Sequence, residues 1–122
     1  MSRPKRFQAR RGQKLEPGQK QVGRNTLWGN PYPVEGMVDP AKPPRLVQRY
    51  ADQWGESVAS LMCTSDQEAV ARYRKALLAG RLDYDPEQVR GELSGYNLGC
   101  PCGLEHCHAD VLLEVANPPR RG

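Results

Sequence analysis

The stretch that decides the fold lies near the end of the chain, where residues 96–117 read YNLGCPCGLEHCHADVLLEVAN. Residues 96–100 have the character of a short extended segment. From about Cys107 the spacing of apolar residues predicts a helix with Val111, Leu112, Val115 and Ala116 facing inward. Ligands of α/β proteins bind at such junctions, and the N–H groups of a helix start favour anions. We therefore predict a site between the two elements.

Metal-binding and reactive side chains are concentrated between these elements. Three of the four cysteines and both histidines of the chain lie within nine residues, at Cys100, Cys102, His106, Cys107 and His108. The N-terminal residues lack the apolar run of an export signal, so we expect a reducing cytoplasm. Clustered Cys and His there bind metal or do chemistry more often than they form disulfides. The fourth cysteine, Cys63, is predicted to be a small buried apolar residue.

Zinc binding is the first chemistry that this cluster suggests. Zinc prefers thiolate and imidazole ligands, and three cysteines with one histidine supply a tetrahedral set. The predicted ligands are Cys100, Cys102, Cys107 and His108. The C-x-C spacing is tighter than the usual C-x2-C. Adjacent Cys107 and His108 can bind one ion only if the backbone bends between them, so His106 competes with His108.

Nucleophilic or acid–base catalysis is the second chemistry. The field of a helix start favours a thiolate, which makes Cys107 a candidate nucleophile with His108 as its partner. A third interpretation gives the cluster no chemistry, with the cysteines packed in the core and the histidines on the surface. The sequence leaves these interpretations open.

A tryptophan-bearing loop is the second candidate feature, Trp28-Gly29-Asn30-Pro31, which follows Arg24. The flat Trp28 ring and the Asn30 amide could hold a base while Arg24 contacts a phosphate. In the structural alternative, Trp28 anchors the loop to the core and Asn30 satisfies the hydrogen bonds of the turn.

Charge divides the chain unevenly. Residues 1–24 carry eight basic side chains and one acidic one, a net charge of +7, whereas the whole chain carries +4. A basic arm predicts contact with a polyanion such as DNA, RNA or a nucleotide phosphate. A solvated, flexible tail is the alternative. We predict a basic, flexible arm over residues 1–20, one compact domain over 21–118 and a tail over 119–122.

The other elements predict an α+β fold with a small sheet and about four helices; a three-layer α/β arrangement is the alternative. Residues 1–21 look irregular, and Gln21–Leu27 are a candidate strand. Helices are expected at Arg45–Trp54, from the capping box of Ser65 and Glu68, and from Asp85-Pro86.

Composition excludes several classes of protein. The chain has 122 residues, which suits one domain. Its longest apolar runs fall far short of the ~20 residues that a membrane-spanning helix needs. The eleven prolines are spread along the chain, which excludes a coiled coil.

The two motifs resemble a domain-of-unknown-function family, number 4326, found in bacteriophages and actinobacteria. Its pattern G-R-x-T-x-W-G-N-P-[FY] matches residues 23–32, and L-x-C-x-C followed by C-H-x-D-x-L-x-E-x-A-N matches residues 98–117. Pro101 departs from the family, which usually has an aromatic residue there. The resemblance implies a phage or actinobacterial origin and no particular activity. It implies a shared site made of Arg24, Trp28, Asn30, Cys100, Cys102, Cys107, His108 and Asp110.

These features together predict a small phage-type accessory protein of the bacterial cytoplasm, with a zinc site, that binds a nucleotide or nucleic acid. Arg24, Trp28 and Asn30 would face the ligand, and the arm would contact phosphates. Asp110 would orient the ligand or cap the last helix. One alternative is a hydrolase or transferase acting on a nucleotide derivative through Cys107 and His108 or a metal-bound water. Another is an inhibitor that binds a host protein.

Overall fold

The computed structural model describes residues 4–8, 14–23, 26–100 and 106–118. These residues form a three-stranded sheet and five helices in an α+β arrangement, as predicted. In chain order the elements are β1 (Arg6–Gln8), β2 (Gln19–Gln21), α1 (Arg45–Trp54), α2 (Val58–Leu61), α3 (Asp66–Leu78), α4 (Pro86–Leu93), β3 (Asn97–Cys100) and α5 (His108–Ala116). Within the described ranges, no helix is both long and apolar enough to cross a membrane.

The sheet is parallel, and its middle strand is the last one in the chain. The strand order is β1-β3-β2, and both outer strands run parallel to β3. Gln8 pairs with Cys100, and Gln21 pairs with Gly99, so the three strands end at one edge of the sheet. Cys100 therefore lies at the carboxyl edge, between the ends of the two outer strands.

The outer strands correct two predictions for the start of the chain. The irregular backbone expected for residues 1–21 is wrong where β1 and β2 lie, and the strand predicted for Gln21–Leu27 instead occupies Gln19–Gln21. The flexibility of an arm over residues 1–20 stays a prediction. These three-residue strands contain a single apolar residue, Phe7, so no alternating pattern marks them. Backbone hydrogen bonds to the distant β3 hold them in place. The domain limits at residues 21, 118 and 119 stay predictions.

Gly99 allows β1 to lie close against β3. A Cβ atom at Gly99 would overlap the Phe7 ring, which lies against the Gly99 backbone. Any larger residue in the middle of β3 would therefore push the ring, and with it β1, away from the sheet.

The helix boundaries confirm the capping predictions. Gly55 ends α1 in the left-handed conformation, with φ of 64°. The Glu68 N–H donates to Ser65 Oγ at 3.1 Å, which opens α3. The Asp85 side chain caps α4 in the same way. The sequence does not predict α2, because four residues are too few to show a helical period.

The core lies where α5 packs against α3, α4 and β3. In α3, Tyr73 and Leu77 are fully buried, whereas Val70 is half-buried. Cys63 is fully buried, as predicted. The other large side chains with almost no exposure in the described residues are Val22, Pro31, Pro33, Val47, Leu61, Val89, Leu93, Leu98, Val111 and Leu112.

Candidate metal centre

The fold brings three residues of the cysteine and histidine cluster together. Cys100 ends β3, Cys107 precedes α5, and His108 is the first residue of α5. Their potential ligand atoms all lie within 4.8 Å of one another, and all three residues are buried. Two thiols and an imidazole at this separation could hold a metal ion.

A bend in the backbone lets adjacent residues contribute to the same group. Cys107 has an extended conformation, with φ of −142° and ψ of 146°, and His108 begins the helix. The Cys107 carbonyl accepts a hydrogen bond from Asp110 N–H at 3.0 Å, whereas its side chain makes no capping bond to the helix. The helix start thus supplies the bend that joint binding by Cys107 and His108 requires.

The His108 ring is oriented by contacts on both of its nitrogens. Nε2 forms a hydrogen bond with the carbonyl oxygen of Val22, and Nδ1 lies 3.6 Å from Cys107 Sγ. A carbonyl oxygen only accepts hydrogen bonds, so Nε2 must carry the proton. In the neutral ring Nδ1 then presents its lone pair to the thiol, which is the arrangement that a metal-binding histidine needs.

His106 is placed differently from His108. It is exposed, and its backbone N–H donates to Asp66 Oδ2 at 2.9 Å. This hydrogen bond is the main cause that lowers the pKa of the Asp66 carboxyl. Of the two histidines, the structure brings His108 into the cluster. The fourth predicted ligand, Cys102, lies outside the described residues.

Two residues of the tryptophan loop that were predicted to face a ligand, Trp28 and Asn30, are buried. Asn30 Nδ2 donates to the Ala69 carbonyl at 3.2 Å, and Asn30 Oδ1 accepts from Tyr32 N–H at 2.8 Å. The Trp28 ring packs on Tyr84 with a centroid distance of 4.7 Å. These are the contacts of a loop anchor. Arg24, predicted to contact phosphate, lies outside the described residues.

Tyr73 links this loop to the cysteine and histidine cluster. Its hydroxyl donates to the Trp28 carbonyl at 3.3 Å and lies 2.5 Å from the Tyr84 hydroxyl. Its ring meets the His108 ring edge to face at 5.3 Å. Burial, and next the neighbouring Tyr84, raise the pKa of Tyr73. Tyr73 is not among the site residues predicted from the sequence; the hydroxyl at a fully buried position is the signal that it has a polar role.

Asp110 pairs with a basic residue of β1. Its carboxylate lies 3.1 Å from Arg6 Nη1, and half of the Asp110 side chain is exposed. The pair ties the first turn of α5 to the edge of the sheet. Asp110 does not cap α5, because Cys107 occupies the capping position.

The outer face of the loop lines a small depression away from the cluster. Leu27, Gly29, Pro31, Arg49 and Tyr84 are among the residues that line it. Its volume of about 20 Å³ is room for roughly one water molecule. Among the residues that the structure describes, Cys100, Cys107 and His108 do not line it.

Comparison with known proteins gives a family and no closer relative. No curated protein and no solved structure matches the chain. The family model described as Domain of unknown function (DUF4326) matches residues 6–118, from the first residue of β1 to just past the end of α5. The chain therefore belongs to the DUF4326 family.

Proposed function

We propose that the protein binds one zinc ion through Cys100, Cys107 and His108, with Cys102 as the fourth ligand. The observation that carries this proposal is the group of three buried ligand atoms within 4.8 Å of one another. In tetrahedral zinc with Zn–S near 2.3 Å and Zn–N near 2.0 Å, neighbouring ligand atoms lie roughly 3.5 Å apart. The 3.6 Å between Cys107 Sγ and His108 Nδ1 already fits that spacing.

The chemistry of the donors favours zinc over harder cations. Two thiols and an imidazole are soft or intermediate ligands, whereas Mg²⁺ and Ca²⁺ select oxygen atoms. When bound, the ion would supply coordination bonds that join the end of β3 to the start of α5. His108 is held for this role by the Val22 carbonyl at its other nitrogen.

The ligand of the assembled site is, in our proposal, a nucleotide or nucleic acid at the carboxyl edge of the sheet. The parallel pairing supports this, because β1 and β2 end beside Cys100. The chain continues from β1 through Arg10 and Arg11 and from β2 through Arg24. Basic side chains and the start of α5 would together favour phosphate groups.

Salt-dependent binding tests the nucleic-acid part of this function. A variant with Arg10→Ala and Arg11→Ala should bind a short DNA or RNA more weakly, with a salt slope smaller by about 1–2. A matched control is Arg45→Ala with Arg49→Ala, which removes the same charge from α1. Equal losses in the two double variants would contradict binding at the carboxyl edge, as would a failure of the zinc-loaded protein to bind any nucleic acid or nucleotide.

One observation favours an enzyme as the second candidate. The 3.6 Å contact between Cys107 Sγ and His108 Nδ1 is also that of a thiol with a general base. Removing the metal distinguishes the zinc-dependent binding protein from the thiol enzyme. A zinc-binding protein loses ligand affinity on chelation, whereas a thiol enzyme would turn over a nucleotide derivative in metal-free protein and lose that activity on alkylation of Cys107.

A further inference from the structure

We propose that Cys100 and Cys107 are an oxidation-sensitive pair, in which a hydroperoxide joins the two sulfurs as a disulfide and releases the metal ion. This inference rests on the zinc binding proposed above. It adds a modification of the same site and a class of oxidant, a small hydroperoxide, that acts on it.

The geometry brings two sulfurs from separate elements within reach of each other. The ligand atoms of Cys100, at the end of β3, and Cys107, before α5, lie within 4.8 Å. A disulfide needs a separation of about 2.05 Å, so the sulfurs must approach by less than about 3 Å. Six residues separate the two cysteines in sequence, so the loop that the disulfide would close is short.

The oxidation balances with one hydroperoxide for each pair of cysteines. The sulfur of one thiolate attacks the peroxide oxygen, the O–O bond breaks, and the alkoxide or hydroxide that leaves takes up a proton. The resulting sulfenic acid is attacked by the second thiolate, the S–S bond forms, and hydroxide leaves and is protonated to water. Two electrons pass from the sulfurs to the peroxide. An alkyl hydroperoxide is reduced to one alcohol and one water, and hydrogen peroxide is reduced to two waters.

Disulfide formation removes two of the metal ligands at once. Zinc binds anionic thiolates, and disulfide sulfurs carry no such charge. His108, even with Cys102, leaves too few ligands to retain the ion. The new covalent bond joins the same two places, the end of β3 and the start of α5. The two elements therefore stay linked, whereas the metal ion and its two thiolate ligands are lost.

Burial selects the oxidant. Cys100 is 6% exposed and Cys107 is 3% exposed, so the pair admits a molecule of the size of hydrogen peroxide more readily than a tripeptide disulfide. Reaction with glutathione disulfide requires a bulky partner to reach the sulfur. We therefore expect hydrogen peroxide to release zinc at least about tenfold faster than glutathione disulfide at equal concentration.

The test uses the full-length protein loaded with zinc. Zinc released by hydrogen peroxide or glutathione disulfide is followed with a chromogenic chelator, and disulfides are mapped by mass spectrometry of peptides. The proposal predicts zinc release in step with a Cys100–Cys107 disulfide, and recovery of zinc binding after reduction. The Cys63→Ala variant should behave as the wild type, because Cys63 lies outside the cluster. The disulfide should also form in Cys102→Ala.

Two outcomes would overturn this inference. One is zinc that stays bound while peroxide is consumed, and the other is a disulfide that always includes Cys102 or Cys63. Either result leaves the proposed zinc site standing. A protein that takes up no zinc before oxidation would instead contradict the proposed function and, with it, this inference. Peptide mapping is done on the wild-type protein, so the test stands even if a variant fails to fold.

Discussion

The tryptophan loop and the cysteine and histidine cluster both carry a sequence motif, but their polar side-chain atoms have different partners. In the loop, the Asn30 amide is engaged by the backbone of Ala69 and Tyr32. In the cluster, Cys107 and His108 direct a sulfur and a nitrogen toward each other at 3.6 Å. Both regions are buried, so burial alone does not distinguish them. The partners of the polar atoms distinguish the two regions: backbone groups in the loop anchor, and other potential metal ligands in the candidate metal site.

Tyr73 contacts both the tryptophan loop and the cysteine and histidine cluster. Its hydroxyl belongs to the loop side, through the Trp28 carbonyl and the Tyr84 hydroxyl. Its ring belongs to the cluster side, against His108. The two contacts can be removed separately by substitution.

Metal removal should have the largest effect, because the ion joins two elements of the core. Chelation of the zinc-loaded protein should lower its Tm by about 15 °C, which corresponds to about 4 kcal/mol of binding linked to folding. Calorimetry with and without chelator measures the shift, and zinc added back should restore it. An unchanged Tm would mean that metal binding at the cluster does not stabilise the fold.

The Asn30→Ala substitution should have the next largest effect. It leaves the Ala69 carbonyl and the Tyr32 N–H without their buried partner, which should lower the free energy of unfolding by about 2–3 kcal/mol. Zinc content should stay at the wild-type level. Urea unfolding and metal analysis check both values. Weaker ligand binding at unchanged stability would reverse the assignment and place Asn30 in a ligand site.

The Tyr73→Phe substitution should be milder, because it removes the hydroxyl and keeps the ring against His108. We expect a loss of about 1–2 kcal/mol at neutral pH and no loss of zinc. Tyr73→Leu removes the ring as well and should also weaken zinc binding. If Tyr73→Phe and Tyr73→Leu bind zinc equally well, the ring does not position His108.

The same hydroxyl gives a dependence on alkaline pH. The pKa of Tyr73 in the folded protein lies above its ordinary value of about 10, because burial disfavours the phenolate. The folded state therefore holds this proton more tightly than the unfolded state. Its contribution to stability is complete below pH about 10 and is lost progressively as the pH rises above that value. In Tyr73→Phe the loss of stability above pH 10 should be shallower than in the wild type, as measured by urea unfolding at several pH values.

The smallest effect is expected at Asp110. Its pair with Arg6 is half-exposed, and such pairs contribute about 0.5 kcal/mol or less. Asp110→Asn should therefore change neither zinc content nor Tm by much. Loss of zinc in this variant would show that Asp110 contributes to metal binding and that the site is larger than the three grouped residues.

The helices could be predicted from the sequence because their signals are local. Ser65 with Glu68, Asp85, and Gly55 each act within four residues, so the chain shows them directly. The strands β1 and β2 could not be predicted in the same way. Each consists of three mostly polar residues, and each is defined by pairing with β3, more than 70 residues away in sequence.

The candidate site could be predicted in composition but not in geometry. The sequence identified the cysteine and histidine cluster and left His106 and His108 as alternatives. The choice depends on the bend between Cys107 and His108 and on the Val22 carbonyl, a partner from a distant segment. The link through Tyr73 depends in the same way on contacts across the core.

Zinc content is the most direct test of the account. Protein purified without added metal should contain about one zinc per chain, and X-ray absorption should show sulfur ligands together with a histidine nitrogen. The content should fall close to zero in Cys107→Ala and stay near one in Asn30→Ala. A wild-type protein without metal, which also fails to take up zinc when zinc is supplied, would contradict the central claim that the cluster is a metal site.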